Sequence, residues 1–382
     1  MGQIIYDLVP PESLTSFIRE VPHESNQILN QFLPDRQIND IEATIEEMTK
    51  VNRAATFRTY DAETPIGERD TLTRRRVLLP PLGQKLVVGE YERIQLERLR
   101  TGGTSTGAMV QQIYDDAVIN TNAVRVRMEL ARGDVLTDGR FTLAGENDLR
   151  LETDWGVPED NFVAASIPWS DQSNATILED LNDWVDQYNE VNGEVPGTML
   201  MSRRTVGNIL RSAEMRQLIS SLAGTPSIAT RAQMNAVLDA HTLPQIREYD
   251  SRFEVNGTTT RPIPQDLVIL LPSNPASLGY TAWGITAEAL ELAGSPNPSL
   301  DFTNAPGLVG VVMRDGDPVR TWTKVTGVGM PVFTDPRRLM VANVEPGSLC
   351  HECDSPSMWP THRGDVASGS PPATRSPRGH FH

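Results

Sequence analysis

The stretch GAMVQQIYDDAVINTNAVRVRMELARG, residues 107–133, decides the fold because its apolar residues follow the spacing of one long amphipathic helix. They recur at intervals of three, four or seven: Ile113, Ala117, Val124, Met128 and Ala131. Gly133 suits the left-handed conformation that ends many helices. At about 1.5 Å per residue this helix spans about 40 Å. The strand GRFTLAG, 139–145, follows after only GDVLTDG, 133–139, so we predict a helical strut directly beside a sheet.

The composition excludes several classes of protein. The chain has 382 residues, of which 38% are hydrophobic and 22% charged, which is enough for a sizeable core. Its net charge is −16, and such a chain repels nucleic acid because phosphate binding needs clustered cations. No stretch approaches the roughly 18 apolar residues of a membrane span, so we expect no membrane association. The two cysteines, Cys350 and Cys353, lie near the end of the chain, so the body is expected to lack disulfides, which fits a reducing compartment.

Residues 1–52 form a predicted N-terminal arm with two short amphipathic pieces. The first, PPESLTSFIREV, gathers on one face Leu14, Phe17, Ile18 and Val21. The second, ESNQILNQFLP, gathers Ile28, Leu29, Phe32 and Leu33 and ends at Pro34. Helices this short do not persist alone, so we expect both to dock on the body or on a neighbouring chain.

Residues 53–100 read as an extended loop, a long hairpin with a wide tip near TPIGERDTLT, 64–73. The runs that predict strands are ATFRTY, 55–60, RRVLL, 75–79, and KLVVGEYERIQL, 85–96. A two-stranded ribbon is marginal in water, so the arm needs a partner surface. Arg74, Arg75 and Arg76 form the notable basic cluster, and we predict that they contact acidic residues of an adjacent subunit.

The rest of the chain divides into four predicted parts. The spine helix and first strand occupy 101–173, a compact α/β lobe occupies 174–292, and strands return over 293–346, with RDGDP, 314–318, as a turn. Two amphipathic lobe helices are NATILEDLNDWVDQYNEVNG, 174–193, and RRTVGNILRSAEMRQLISSL, 203–222. The first is predicted to bury Leu178, Leu181, Trp184, Val185 and Tyr188. The tail 347–382 is rich in Pro, Ser and Gly and is predicted to be disordered.

Catalysis has little support, and we predict no catalytic, cofactor-binding or metal-binding residues and no cofactor. The body holds two histidines, His23 and His241, and no G-x-S-x-G, phosphate-binding glycine loop or H-E-x-x-H motif. One helix carries the acids Glu179, Asp180, Asp183, Asp186 and Glu190, which we interpret as a solvated face. CHEC, 350–353, with His362 lacks the turn framework of a zinc site, and RGD, 363–365, is too short to indicate a function.

Four segments carry a resemblance to a known family. They are AATFRTYDAETPIG, 54–67, LPPLGQKLVVGEYERIQL, 79–96, VRMELARGDVLTDGRFTLAG, 126–145, and DPRRLMVANV, 335–344. From about Asp7 to Val344 the chain resembles the lambda-like major capsid protein E family of tailed phages, which has the Hong Kong 97-type coat fold. The resemblance implies an α+β fold: N-terminal arm, extended β-hairpin loop, long spine helix with a peripheral-domain sheet, and a compact axial α/β domain at 174–292.

The implied function is that of a major capsid protein, not an enzyme, which self-assembles into the icosahedral head shell around double-stranded DNA. The implied partners are further copies of the chain in pentamers and hexamers, with decoration, scaffold and portal proteins possible, and no sequence-specific DNA binding. The implied location is the virion, with assembly in the host cytoplasm. An encapsulin-like nanocompartment shell shares the fold, and a soluble hydrolase is the alternative from another class. Some relatives cross-link chains through a lysine, but nothing marks Lys85 for that chemistry.

Overall fold

The computed structural model describes residues 3–48, 72–98, 105–146, 149–220, 229–294 and 306–346. It has the predicted α+β class, with a long helix, a hairpin and two larger sheets. Residues Met1–Pro346 form one compact unit. The predicted disordered tail, the hairpin tip and the strand at 55–60 lie outside the described residues. No helix in the described ranges is both long and apolar enough to cross a membrane.

The helices of the described residues are α1 Pro11–Glu20, α2 Glu90–Arg98, α3 Ser105–Asp138, α4 Ile177–Asn192, α5 Arg203–Arg211, α6 Ala213–Ser220, α7 Arg231–Ala240, α8 Pro275–Leu278 and α9 Ala287–Ala293. Short 3-10 turns cover Leu29–Gln31, Glu159–Asn161 and Pro336–Arg338.

The strands are β1 Gln3–Ile4, β2 Asp35–Gln37, β3 Glu42–Met48, β4 Leu72–Leu78, β5 Pro81–Val88, β6 Arg140–Glu146, β7 Leu149–Asp154, β8 Phe162–Ala164, β9 Thr198–Met201, β10 Gln245–Glu248, β11 Phe253–Val255, β12 Thr258–Thr260, β13 Leu267–Leu271, β14 Gly279–Trp283, β15 Val309–Gly316, β16 Val319–Phe333 and β17 Met340–Asn343. The first sheet has the order β1-β15-β16-β14-β2, with β5 also on β16, and the second has the order β10-β9-β13-β17-β8. Three two-stranded pairs are β3-β4, β6-β7 and β11-β12.

The spine helix α3 is longer than predicted. It runs to Asp138, and the left-handed residue that ends it is Gly139, with φ +72°. The prediction that Gly133 ends the helix is wrong. A Cβ on Gly133 would lie 2.4 Å from the Pro262 carbonyl oxygen, so this glycine is required by close packing inside the helix. At about 1.5 Å per residue α3 spans about 50 Å.

The first sheet packs against α3 and α1 around a continuous apolar core. The predicted stripe of α3 is confirmed, since Ile113, Ala117, Val124 and Met128 are buried and Ala131 is partly buried. The same core includes Leu14, Ile18, Trp283, Val312 and Val325. Asn120 adds a hydrogen bond from its side-chain amide to the carbonyl oxygen of Thr323 at 3.0 Å. The predicted turn at 314–318 joins β15 to β16 in antiparallel register.

The second sheet forms the lobe. Helices α4, α5, α6 and α7 contribute to an apolar core with Met199, Met201, Val268, Leu270 and Met340 from the strands. The predicted buried face of α4 is confirmed: Leu178, Leu181, Trp184, Val185 and Tyr188. The predicted single helix at 203–222 is broken in the structure at Ser212, whose hydroxyl accepts a hydrogen bond from the Met215 amide at 3.2 Å and begins α6.

The N-terminal segment docks on the chain's own body. Helix α1 is confirmed, with Leu14 and Ile18 fully buried against the first sheet. The second predicted helix is only a 3-10 turn, Leu29–Gln31. Its apolar residues still enter the core, and Leu29 and Leu33 are fully buried. Tertiary burial therefore fixes this piece without a helix, because it is too short to form one unaided.

The extended loop differs from its prediction in two places. Strand β3 pairs with β4, so the hairpin already begins at Glu42, inside the predicted arm 1–52. The run 85–96 is half strand and half helix, since β5 ends at Val88 and α2 begins at Glu90. The Gly89 amide donates to Glu92 Oε2 at 3.1 Å, a local cap that favours helix over strand. The predicted domain boundaries stay a proposal, and strand pairing crosses them where β14 joins β16 and β17 joins β13.

Two helical glycines give a matched test of the packing on α3. In Gly133→Ala the new methyl group meets the Pro262 backbone, and overpacking of this kind costs about 1–3 kcal/mol. In Gly207→Ala on α5 the nearest atom lies 4.0 Å away, so better helix propensity should raise the free energy of unfolding by about 0.5–1 kcal/mol. Urea unfolding followed by circular dichroism measures both. Equal effects of the two substitutions would contradict the close packing at Gly133.

Candidate functional site

A buried polar network joins the N-terminal segment to the spine helix. The Glu129 carboxylate is fully buried and accepts hydrogen bonds from the Leu29 amide at 2.8 Å and the Tyr249 hydroxyl at 3.3 Å. Arg132 donates to Glu129 at 3.3 Å and to Asp35 at 2.5 Å. Burial raises the pKa of Glu129, and the bonds from Leu29 and Arg132 oppose that shift. The network is structural because its polar atoms are used within the chain.

A cleft of about 540 Å³ beside this network is rich in arginine. Arg19 donates to the carbonyl oxygens of Leu308 at 3.1 Å and Pro306 at 2.9 Å, and Arg125 donates to that of Val21 at 2.6 Å. These guanidinium groups therefore join distant segments of the chain: Arg19 joins α1 to residues 306–308, and Arg125 joins the spine helix to the segment after α1. His23 lines the cleft, where its Nε2 lies 4.0 Å from Asp35 Oδ2 and partial burial, followed by the charge of Arg125, lowers its pKa.

The arginine cluster of β4 is split between the two faces of the hairpin. Arg75 points toward the body, where it donates to the Asp154 carbonyl oxygen at 2.6 Å and lies over the Trp155 ring at 5.6 Å. Because alternate strand residues face opposite sides, Arg74 and Arg76 lie on the other face of the hairpin from Arg75. All three side chains are exposed, and their contact with acidic residues of an adjacent subunit stays a prediction.

Helix α2 presents apolar side chains to solvent. Tyr91 is 72% exposed and Ile94 is 53% exposed, and residues three apart lie on one helix face. Leu78, at the end of β4, is 58% exposed, and the strand β5 separates it from α2 along the chain. Neighbouring exposed apolar side chains, such as Tyr91 and Ile94 on α2, are typical of surfaces that contact another protein.

The lobe carries a basic cleft and an acidic stripe. The arginine cleft has a volume of about 310 Å³ and is lined by Arg203, Arg204, Gly207, Arg211, Asp250 and Gln265. The acidic stripe is the exposed face of α4, formed by Glu179, Asp183, Asp186 and Glu190. The stripe's exposure agrees with its interpretation as a solvated face. Asp180 differs, since it is buried and accepts from the Trp169 indole at 2.9 Å.

The arginine cleft is not among the features predicted from the sequence. Arg203, Gly207 and Arg211 recur every four residues, which places them on one face of a helix. That spacing was the available signal, but the run was read as one amphipathic helix. The Ser202 hydroxyl begins α5 by accepting from the Thr205 amide at 3.1 Å, and this cap fixes the direction of the arginines.

The other sequence candidates have structural positions or lie outside the described ranges. His241 is the C-terminal cap of α7. No group of three or more histidine, cysteine, aspartate or glutamate side chains in the described residues is arranged to hold a metal ion. The CHEC and RGD segments lie in the tail, which the structure does not describe. The candidate features on the described residues are the apolar face of α2, the arginine cleft and the acidic stripe.

Comparisons with known proteins identify the family and the fold of the chain. The family described as phage major capsid protein E matches residues 11–344. A protein of an Escherichia coli CFT073 prophage, described as a capsid protein, shares the fold with a TM-score of 0.57 and 15% identity over 90% of this chain and 99% of that one. A phage-related protein from Bordetella bronchiseptica RB50 shares it with a TM-score of 0.55 and 12% identity over 90% and 98%. No curated protein matches the chain.

This chain belongs to the phage major capsid protein E family. The family match covers α1 through β17, so it includes the spine helix, the second sheet and every strand of the first sheet except β1. The predicted resemblance and coat fold are confirmed, and the phage capsid is favoured over the nanocompartment alternative. Members of the family are structural proteins that assemble into the multi-subunit shell of the virion, and this defines the class of function.

One half-buried carboxylate gives a test by pH. Burial raises the pKa of Asp134 to about 6, while its carboxylate accepts from the Thr142 amide at 2.8 Å. Because the folded pKa lies above the unfolded value near 4, folding is favoured as pH falls from about 6 to 4 and the ionised form is a cost above 6.

Asp134→Asn keeps the hydrogen-bond acceptor and removes the charge. We expect its free energy of unfolding at pH 8 to exceed that of the parent by about 1–2 kcal/mol, with the difference disappearing near pH 4. Urea unfolding across this range measures it, and Asp186→Asn on the exposed stripe controls for the loss of one charge. A difference that does not change with pH would contradict the role of burial.

Proposed function

We propose that this chain forms the icosahedral head shell of a tailed phage by self-association, and that the shell encloses double-stranded DNA without catalysis. The single observation that carries the proposal is the family match across residues 11–344. Pentamers and hexamers of the chain are its repeating units. Assembly takes place in the host cytoplasm, and scaffold, portal and decoration proteins are the further partners.

The surface of the fold supports this proposal. The described part of the hairpin β3-β4 packs on the chain's own core through Ala43, Ile45 and Val77, and two-stranded ribbons are marginal where no such surface covers them. Tyr91 and Ile94 expose apolar area on α2, which follows β5. A net charge of −16 suits a wall that does not bind the packaged DNA tightly. In this proposal 101–173 and 293–346 form the peripheral domain and 174–292 the axial domain.

Sedimentation velocity and electron microscopy of the purified chain test the proposal. We expect pentamers, hexamers or closed shells, with interfaces that together bury more than the roughly 1,600 Å² of a standard interface when summed over all neighbours. A variant that tests the apolar face of α2 is Tyr91→Ser with Ile94→Ser. It removes exposed apolar area without touching the core, so it should fold like the parent and assemble more weakly. A monodisperse monomer across salt and protein concentration, with scaffold protein supplied, would reject the proposed function.

A further inference from the structure

We propose that the arginine cleft of one copy receives the acidic stripe of a second copy, so that the lobes join head to tail. The inference rests on the proposed function, in which copies of the chain assemble into rings. Two different patches on one chain make a heterologous contact, and such contacts close into rings when the rotation between copies permits. The proposal deepens the assembly function by naming the two faces that meet.

The arginine cleft has cations that the chain leaves uncompensated. Within the described residues neither Arg203 nor Arg211 has a carboxylate partner, whereas Arg204 lies 3.5 Å from Asp266. The acid in the cleft, Asp250, is already paired with Arg261. A positive cleft on a chain of net charge −16 is a local exception, and it favours an acidic occupant.

The glycine in the middle of α5 keeps the cleft open. Gly207 lies between Arg203 and Arg211 on the same face, and a Cβ there would have no neighbour closer than 4.0 Å. Glycine lowers helix stability relative to alanine, and nothing in the described fold requires its small size. The open space therefore lies on the outer surface of the helix, where a second molecule fits.

The acidic stripe has the matching charge, length and rigidity. Its four carboxylates are exposed and, across the described ranges, make no hydrogen bond or ion pair. From Glu179 to Glu190 the stripe extends about 16 Å, against about 12 Å from Arg203 to Arg211, at 1.5 Å per residue. Helix α4 is held in place by the Tyr188 hydroxyl, which donates to the Arg338 carbonyl oxygen at 3.1 Å. Both faces are therefore preorganised, and the cost of ordering them on contact is small.

Charge reversal tests the pairing. The stripe variant is Asp183→Arg with Glu190→Arg, the cleft variant is Arg203→Glu with Arg211→Glu, and a combined variant carries all four changes. Matched controls change charge by the same amounts at exposed residues elsewhere: Asp239→Arg with Glu291→Arg, and Arg150→Glu with Arg252→Glu. Circular dichroism and thermal melting establish that each variant folds. If a reversal variant fails to fold, Asp183→Asn with Glu190→Gln and Arg203→Gln with Arg211→Gln replace it.

The measured quantity is the protein concentration at half assembly, by sedimentation in about 0.15 M salt, where charges interact over about 8 Å. We expect each reversal to raise it by about tenfold or more, and the combined variant to return to within about threefold of the parent. The controls should match the parent. An equimolar mixture of the stripe and cleft variants should form rings of even number, because only alternating copies present opposite charges.

Three outcomes overturn the inference. Reversal variants that assemble like the parent would show that the faces do not meet, and a combined variant as defective as either reversal would show that they meet something else. A cleft variant that loses only DNA retention, while the stripe variant is normal, would assign the cleft to phosphate. In all three the parent still assembles and the proposed function stands. A parent that never assembles rejects the proposed function instead.

Discussion

The fold depends on the buried carboxylate of Glu129. It accepts hydrogen bonds from the Leu29 amide and the Tyr249 hydroxyl and pairs with Arg132, so three separated parts of the chain meet at one side chain. Arg132 extends the contact to Asp35 at the start of β2. Removing one partner of a buried ion pair leaves an uncompensated charge, at a cost of about 3–5 kcal/mol. The spine helix thereby positions the N-terminal segment, the lobe and the first sheet together.

The buried network around Glu129 contrasts with exposed side chains whose charges or apolar groups have no partner within the described residues. Arg125 and Arg132 direct their donors to groups of the same chain, whereas Arg203 and Arg211 have no carboxylate partner in the described residues. The apolar face of α2 and the acidic stripe of α4 are likewise exposed. A subunit of a shell needs both kinds of region. The buried network ties the N-terminal segment to the spine helix, and in the proposed assembly the open faces supply the contacts that repeat from copy to copy.

Much of the fold could be predicted from sequence because it follows from periodicity. The stripes of α3 and α4 and the turn at 314–318 are local patterns, and each is confirmed. The predicted helix end at Gly133 was wrong because the sequence does not distinguish a glycine that ends a helix from one that packs closely against a distant backbone, here that of Pro262. Glu129 and Arg132 likewise have the spacing of a surface ion pair, and only tertiary packing places them in the core.

The candidate surfaces were harder to predict, for a related reason. Strand alternation sends Arg75 to its own Trp155, and that partner is distant in sequence. The apolar periodicity of 203–222 predicts one continuous helix and gives no sign of the break at Ser212. The cleft beside α5 therefore could not be predicted. Charged residues on one helix face indicate that the face is exposed. Whether such a residue pairs within its own chain or is open to a partner depends on the tertiary structure.

The central claim is that each subunit folds on its own network and assembles through its open faces. A cryo-electron microscopy reconstruction of the assembled particle tests it most directly. We predict that in every subunit residues 11–35 pack on that subunit's own spine helix, with Glu129 bonded to its own Leu29 amide. A map in which this segment crosses to a neighbour's spine helix, or in which Glu129 faces solvent, would contradict the account.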